Sequence, residues 1–404
     1  MADGGNPRQV AAFAGQTDAL RAELAEIAAL PDNAPRGLSG QHYVSPDYFQ
    51  HEWQTVLHQG WHCLARADEI PNTGDYLALT LLDEPIVLVR DGQTIRALSN
   101  VCQHRGMPLV QGKGRARRFV CSYHAWAYRT DGRLMYATRM KNDGFDRNSC
   151  RLASFSCVER FGFIYVSLAE DPPDLDAELG DLATHLAPYE PEAYRTVHTA
   201  TEVWQTNWKC LVENFMEGYH LSVVHPKTLH GYTPTELCKK GPSGPGYTSY
   251  ISNYPDHIPS RGRGAPGLTP AQRHRSFLFA AFPCQVASIA PSLLVSLCLL
   301  PQTAERVDVR WTMSVYGDDL DEETIAQRIA LWTEVNREDR EKLELMQAAL
   351  RSRHALSGPL AGADFEGTVL DFVRWLARQD RAAPYLSDTP VAGATTPGPI
   401  AMKS

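Results

Sequence analysis

The chain has 404 residues, 43% hydrophobic and 21% charged, enough to build two or three cores, and 47 acidic against 39 basic residues leave a net charge of −8. That balance excludes a general binder of nucleic acid or of anionic membranes and points to small ligands. The first residues, Met1 to Leu24, carry acidic side chains and no continuous apolar run, and nothing later approaches about 18 uninterrupted apolar residues, so the cytoplasm is the expected compartment.

Along the chain, Leu20, Leu24, Ile27 and Leu30 set out an amphipathic helix that Pro31 to Pro35 ends, predicting an N-terminal helical arm over 1–42. A small antiparallel β domain is expected over 43–168, with strands near Tyr76–Leu81, Pro85–Arg90, Thr94–Ser99 and Phe161–Val166 between Gly, Asp and Pro turns. After the stretch EDPPDLDAELGD a larger α+β domain is predicted over 169–386, an antiparallel sheet with covering helices. Strands are expected at Leu293–Leu300 and Val307–Val315, and a long helix at Asp321–Arg353. Residues 241–270, crowded with Gly, Pro, Ser and Tyr, read as an ordered loop or a mobile lid, and 387–404 as a loose tail.

Nine cysteines is an odd number without a disulfide rhythm, and in a reducing compartment clustered cysteines more often bind metal. Within the β domain lies Cys102-Gln-His104-Arg-Gly, and sixteen residues after His104 (positions 105 to 120) comes Cys121-Ser-Tyr-His124-Ala-Trp. Two thiolates and two imidazoles suit tetrahedral zinc, but zinc fingers usually pair Cys with Cys and His with His, whereas each segment here supplies one of each. Mixed pairs suit a cluster of two unlike irons, one held by thiolates and the other by imidazoles, as in a Rieske [2Fe–2S] centre. With Arg105-Gly106 after one pair and Trp126 and Asp131-Gly132 after the other, the pattern resembles the Rieske-type non-haem iron oxygenases. The family commonly has Pro-Tyr-His-Gly-Trp where this chain has Ser122-Tyr123-His124-Ala125-Trp126, a departure that spares all four ligands.

The larger domain carries Asn207-Trp208-Lys209 and then Glu213, Glu217, Tyr219, His220, His225 and Pro226. Five residues rotate a helical side chain by about 500°, so His220 and His225 would not share a helix face. Pro226 pushes His225 out of the α region and frees it to swing back. A third ligand is sought on the long helix, where Asp339 interrupts the stripe Trp332, Val335, Leu343, Met346, Leu350, with Glu338 as its alternative. Two histidines and one carboxylate form the facial triad of a mononuclear Fe(II).

The resemblance extends from about Tyr43 to Arg378 and implies the alpha subunit of an oxygenase, an α₃ or α₃β₃ assembly in which one subunit's cluster faces its neighbour's iron. It implies electrons from NAD(P)H through a separate reductase or ferredoxin, and a junction carboxylate, here Glu217, between a cluster histidine and an iron histidine. Most relatives carry Asp there; Glu is similar to the carnitine and glycine betaine monooxygenases. The expected substrate is therefore an N-alkyl or quaternary ammonium compound, with an aromatic acid or ring as the runner-up. Trp204, Tyr232, Tyr247 and Tyr254 are the aromatics available for a cation, and Lys113, Arg115, Arg117 and Arg118 for docking an acidic donor. From another class, the chain would be a Rieske electron carrier without oxygenase activity, or a zinc-stabilised binding protein.

Overall fold

The computed structural model describes residues 7–140, 144–260 and 262–382, so the expected tail at 387–404 lies outside the described residues. Two seven-stranded antiparallel sheets organise the chain. The first runs in the order His62–Arg66, Phe163–Ser167, Ser154–Arg160, Thr94–Ser99, Glu84–Asp91, Asp75–Leu81, Lys113–Arg115. The strand Glu84–Asp91, fifth in that order, holds Ile86 to Val89, all fully buried, because both faces are covered. A small three-stranded sheet, Phe119–Val120, Ala127–Tyr128 and Leu134–Tyr136, stands on it and shares a core with Cys102, Cys121 and Trp126.

The second sheet runs Tyr194–Trp204, Arg306–Tyr316, Leu293–Thr303, Gln285–Ala290, Arg275–Ala281, Tyr247–Asn253, Cys238–Lys240. Residues 241–270, expected as loop or lid, thus contain an internal strand. Tyr247–Asn253 pairs with strands on both sides and is buried on both faces, so it carries no apolar–polar alternation to read among the flanking Gly and Pro. The long helix spans Glu322–Leu350, opened by Asp321, whose side chain accepts from the Thr324 N–H at 2.8 Å. Trp332, Val335, Asp339 and Leu343 are buried as the stripe requires, but Met346 is 40% exposed and Gln347 takes its place inside. Gln347 lies one turn beyond Leu343, and its amide is satisfied: Oε1 accepts from the Asn207 N–H at 2.9 Å and Nε2 donates to the Tyr43 carbonyl at 3.2 Å.

The N-terminal helix Pro7–Ala28 buries Leu20, Leu24 and Ile27, and Arg21 donates to Asp380 at 2.9 Å on the last helix, Ala363–Ala382. Residues 41–57 form short helical turns against the second sheet's helices: Tyr43 donates to Glu213 at 2.8 Å, and the buried Lys209 meets Glu52 at 2.7 Å. Tyr43, Tyr48 and Trp208 present rings 5.4–5.7 Å from the Lys209 ammonium. Burial raises the Glu52 carboxyl, with Lys209 opposing, and burial likewise lifts Glu213 to about 7 against the hydrogen bond from Tyr43. No helix among the described residues is long and apolar enough to cross a membrane.

Breaking a buried pair strands a charge at a cost of about 3–5 kcal/mol. Lys209→Ala should therefore lower the thermal unfolding midpoint clearly, whereas the double substitution Lys209→Met with Glu52→Met should lose less. Equal losses would show that the Glu52 charge is not left buried.

Candidate metal centres

Two loops carry Cys102, His104, Cys121 and His124, and they fold alike. The Cys102 N–H donates to the Met107 carbonyl at 2.9 Å and the Gly106 N–H to the Cys102 carbonyl at 2.9 Å; the Cys121 N–H donates to Trp126 at 2.8 Å and the Ala125 N–H to Cys121 at 2.9 Å. The fifth residue of each loop is left-handed, Gly106 at φ +75° and Ala125 at φ +57°. Ala125 thus occupies a position suited to glycine, at a strain of about 1–2 kcal/mol.

Each loop turns its cysteine into the core and its histidine to the rim. Cys102 and Cys121 are buried, while the two imidazoles are half-buried with Nδ1 atoms 3.1 Å apart. Two nitrogens bonded at about 2.0–2.1 Å to one metal lie roughly 3–3.4 Å apart, so the pair fits a shared ion. Trp126 stacks on His104 at 4.9 Å, and the Tyr128 hydroxyl lies 3.4 Å from the Cys102 sulfur. Burial pushes the Cys102 thiol up, with the hydrogen bond from Tyr128 opposing.

The second centre is built from a broken helix. Trp208–Phe215 is helical, the chain opens over residues 216–220, and a single turn follows at Leu221–Val224. Glu217 and His220 therefore do not share a helical face; they meet because the break turns the carboxylate back on its own loop. Glu217 Oε1 accepts from His220 Nδ1, and Oε2 accepts from the backbone N–H groups of Tyr219 and His220. His225 ends the short turn at φ −115°, ψ 49°, just before Pro226.

Ligand atoms of His220, His225 and Asp339 lie within 4.8 Å of one another. Asp339 Oδ1 is 3.1 Å from His225 Nε2 and 3.6 Å from His220 Nε2. Both His225 Nε2 and Asp339 Oδ1 are buried without a hydrogen-bond partner, the condition of donor atoms meant for a cation. Burial opposes charge on His220, but Glu217 and then Asp339 outweigh it and raise its pKa. The donor set fits a divalent metal with room for further ligands. Glu338 faces the other side of His225: its Oε2 accepts from Nδ1 at 2.7 Å and from the Thr228 hydroxyl at 2.6 Å.

Beside the triad lies an apolar cavity of about 40 Å³. One sheet face supplies its floor, including Leu278, Ser288, Leu293 and Val295, and Leu221 and Trp332 close it from the triad's side. Its wall contains no charged side chain; Tyr250 and Trp332 are its aromatic faces. The four aromatics expected from the sequence line none of it. Trp204 donates to Glu202 at 3.2 Å, Tyr247 bonds Asp181, Tyr254 meets Ser276 at 2.7 Å, and Tyr232 faces a neighbouring cavity. Thr228, Leu278 and Ser288 went unread in the sequence, whereas Leu293 and Val295 lie on the expected strand Leu293–Leu300.

The Rieske [2Fe–2S] domain family matches residues 60–156, and the ring hydroxylating alpha subunit (catalytic domain) family matches residues 189–381. The chain is 35% identical over 217 residues to the glycine betaine monooxygenase oxygenase subunit of Chromohalobacter salexigens, covering 53% of this chain and 49% of that one. It is 33% identical over 189 residues to the carnitine monooxygenase oxygenase subunit of Escherichia coli K12, covering 46% and 50%. The matched segments thus span about half the length of these curated relatives. Among solved structures, the quaternary ammonium Rieske monooxygenase CntA shares the fold at TM-score 0.79 and 22% identity, over 88% of this chain and 98% of that one. Naphthalene 1,2-dioxygenase from Rhodococcus sp. does so at 0.78 and 19%, over 91% and 99%.

Carboxylates that orient a metal-bound imidazole are worth about 10–100-fold in metal affinity. Glu338→Ala should weaken iron retention in the second centre by about that factor, read by dialysis and metal analysis, with the cluster absorption unchanged; undiminished retention would deny Glu338 this role.

Proposed function

We propose that this chain, which belongs to the Rieske-type non-haem iron oxygenase alpha subunits, is the terminal oxygenase of a multicomponent system that hydroxylates an N-alkyl or quaternary ammonium compound. The observation that carries this is the convergence of His220, His225 and Asp339 beside a cavity walled by Tyr250 and Trp332 and free of charged side chains. When bound, the cluster supplies single electrons and the mononuclear iron supplies the centre at which O₂ is activated. In this reading Cys102, His104, Cys121 and His124 hold the cluster and His220, His225 and Asp339 hold the iron. A carboxylate only accepts, so Glu217 and Glu338 fix protons on Nδ1 of His220 and His225 and leave each Nε2 for the metal. The apolar wall keeps water from the reacting carbon. Hydroxylation next to nitrogen leads to loss of formaldehyde from an N-methyl group or to C–N cleavage with release of trimethylamine. The names of the betaine and carnitine relatives support this choice of substrate.

The electron donor in this reading is a reductase or ferredoxin drawing on NAD(P)H. Between Val101 and Arg151, eleven Lys and Arg stand against three Asp and Glu in a chain of net charge −8, which makes the cluster domain the face for an acidic partner. The cytoplasm suits nine cysteines that are all free.

The assembly we propose is a homotrimeric ring. Met107 and Tyr123 are exposed beside the cluster loops, at 38% and 56%, and Tyr219 and Val223 beside the iron, at 57% and 81%. Two different apolar patches on one chain form a head-to-tail contact that closes into a ring, bringing a neighbour's cluster histidine to Glu217.

Asp339→Ala should abolish O₂-dependent formation of formaldehyde or trimethylamine from N-methyl substrates while leaving the cluster's visible absorption intact; ring diols as the sole products of the parent enzyme would overturn the substrate reading. Val223→Asp should shift the sedimenting species from trimer to monomer with the cluster retained, and an unchanged trimer would contradict the proposed contact.

A further inference from the structure

The break that brings Glu217 to His220 is held by a distant part of the chain. The helix Trp208–Phe215 is capped at Met216, and the terminal carbonyls of a helix find no partner within it. The last helix, Ala363–Ala382, supplies one: the Met216 carbonyl accepts from the Thr368 hydroxyl at 2.5 Å. Thr368 is 2% exposed and Met216 1%, so water does not stand in for that donor. Two residues on, the Gly218 N–H donates to the Phe365 carbonyl at 3.3 Å. Both chain neighbours of Glu217 are thus bonded to one turn of the same helix. Gly218 also meets the strand Cys238–Lys240 so closely that an added Cβ would lie 2.6 Å from the Cys238 sulfur, which leaves the loop little room to shift.

We propose that Thr368 is a positioning residue for the second metal centre, acting through the Met216 carbonyl on Glu217 and through Glu217 on His220; this rests on the reading of His220, His225 and Asp339 as iron ligands. The linkage is short. Glu217 accepts from His220 Nδ1 and from the backbone N–H groups of Tyr219 and His220, so carboxylate, loop and imidazole move as one unit. Without the Thr368 hydroxyl the Met216 carbonyl is a buried acceptor left unsatisfied, and the loop relaxes toward another donor, carrying Glu217 with it. His220 then loses the partner that keeps its proton on Nδ1 and its Nε2 free for a metal. Valine reproduces the shape of threonine without the donor, and serine keeps the donor.

The test uses the full chain loaded with its cluster and iron. Thr368→Val should weaken iron retention in the second centre about tenfold on dialysis and shift the electron paramagnetic resonance spectrum of the ferrous centre with nitric oxide bound, while the cluster absorption stays as in the parent. Thr368→Ser should restore both readings. In a Glu217→Ala background Thr368→Val should add no further loss, because both changes remove the same support. Where Thr368→Val does not fold, Thr368→Cys, with its weaker S–H donor, takes its place with an intermediate loss. Parent-like iron retention and nitric oxide spectrum in Thr368→Val, equal losses in Thr368→Val and Thr368→Ser, or losses that add to those of Glu217→Ala would overturn the positioning role. A parent protein that binds no iron at this centre would overturn the ligand reading instead.

Discussion

The buried carboxylate of Asp339 is the constraint around which the catalytic domain is arranged. An ionised carboxylate on the apolar face of a helix costs several kcal/mol unless a cation or donors compensate, and its Oδ1 has no hydrogen-bond partner. What faces it instead are two imidazole nitrogens, at 3.1 and 3.6 Å, from a segment more than a hundred residues earlier in the chain. With Nδ1 of each ring already directed at a glutamate, the two Nε2 atoms and the carboxylate form a donor set that a metal would complete. The helix must lie over the sheet at the one rotation that meets the broken segment at 216–225, and that rotation also places Trp332 in the cavity wall.

Around this centre the supporting contacts divide by side. Glu217 and Glu338 hold the outward nitrogens of the two rings, so the tautomers are set before any metal arrives. The cluster loops follow a different plan: their sulfurs are buried in a small core of their own and their imidazoles are at the rim. In the proposed function electrons reach a cluster from a partner and leave it for an iron, and rim histidines would give both routes a short path. The strained Ala125 shows how firmly that loop shape is imposed, since an L residue adopts the left-handed conformation there rather than alter the histidine beside it.

Much of this was legible in the residues themselves. Cys102, His104, Cys121 and His124 announce themselves by mixed pairing at fixed spacing, and the long helix by its stripe and its Asp321 cap. Asp339 stood out as an acid where burial was expected. The rest depended on non-local geometry. A stripe read on hydrophobicity alone takes Met346 for buried and misses Gln347, whose amide finds partners only once Asn207 and Tyr43 arrive from elsewhere. The break after Phe215 carried a signal of its own in Gly218, whose low helix propensity opposes carrying the helix through Glu217 to His220. Aromatic residues chosen by proximity in sequence missed the cavity, while Tyr250 and Trp332 reach it through strand register and helix rotation.

The Rieske [2Fe–2S] domain family and the ring hydroxylating alpha subunit (catalytic domain) family match this chain in succession, and the orphaned donors lie within the second matched segment and on its long helix. The central claim is that one chain holds two separate iron centres. Iron and acid-labile sulfide should be counted per chain in the purified protein. About three irons and two sulfides are expected, a [2Fe–2S] cluster plus one further iron. A colourless protein containing zinc and no sulfide would contradict the account.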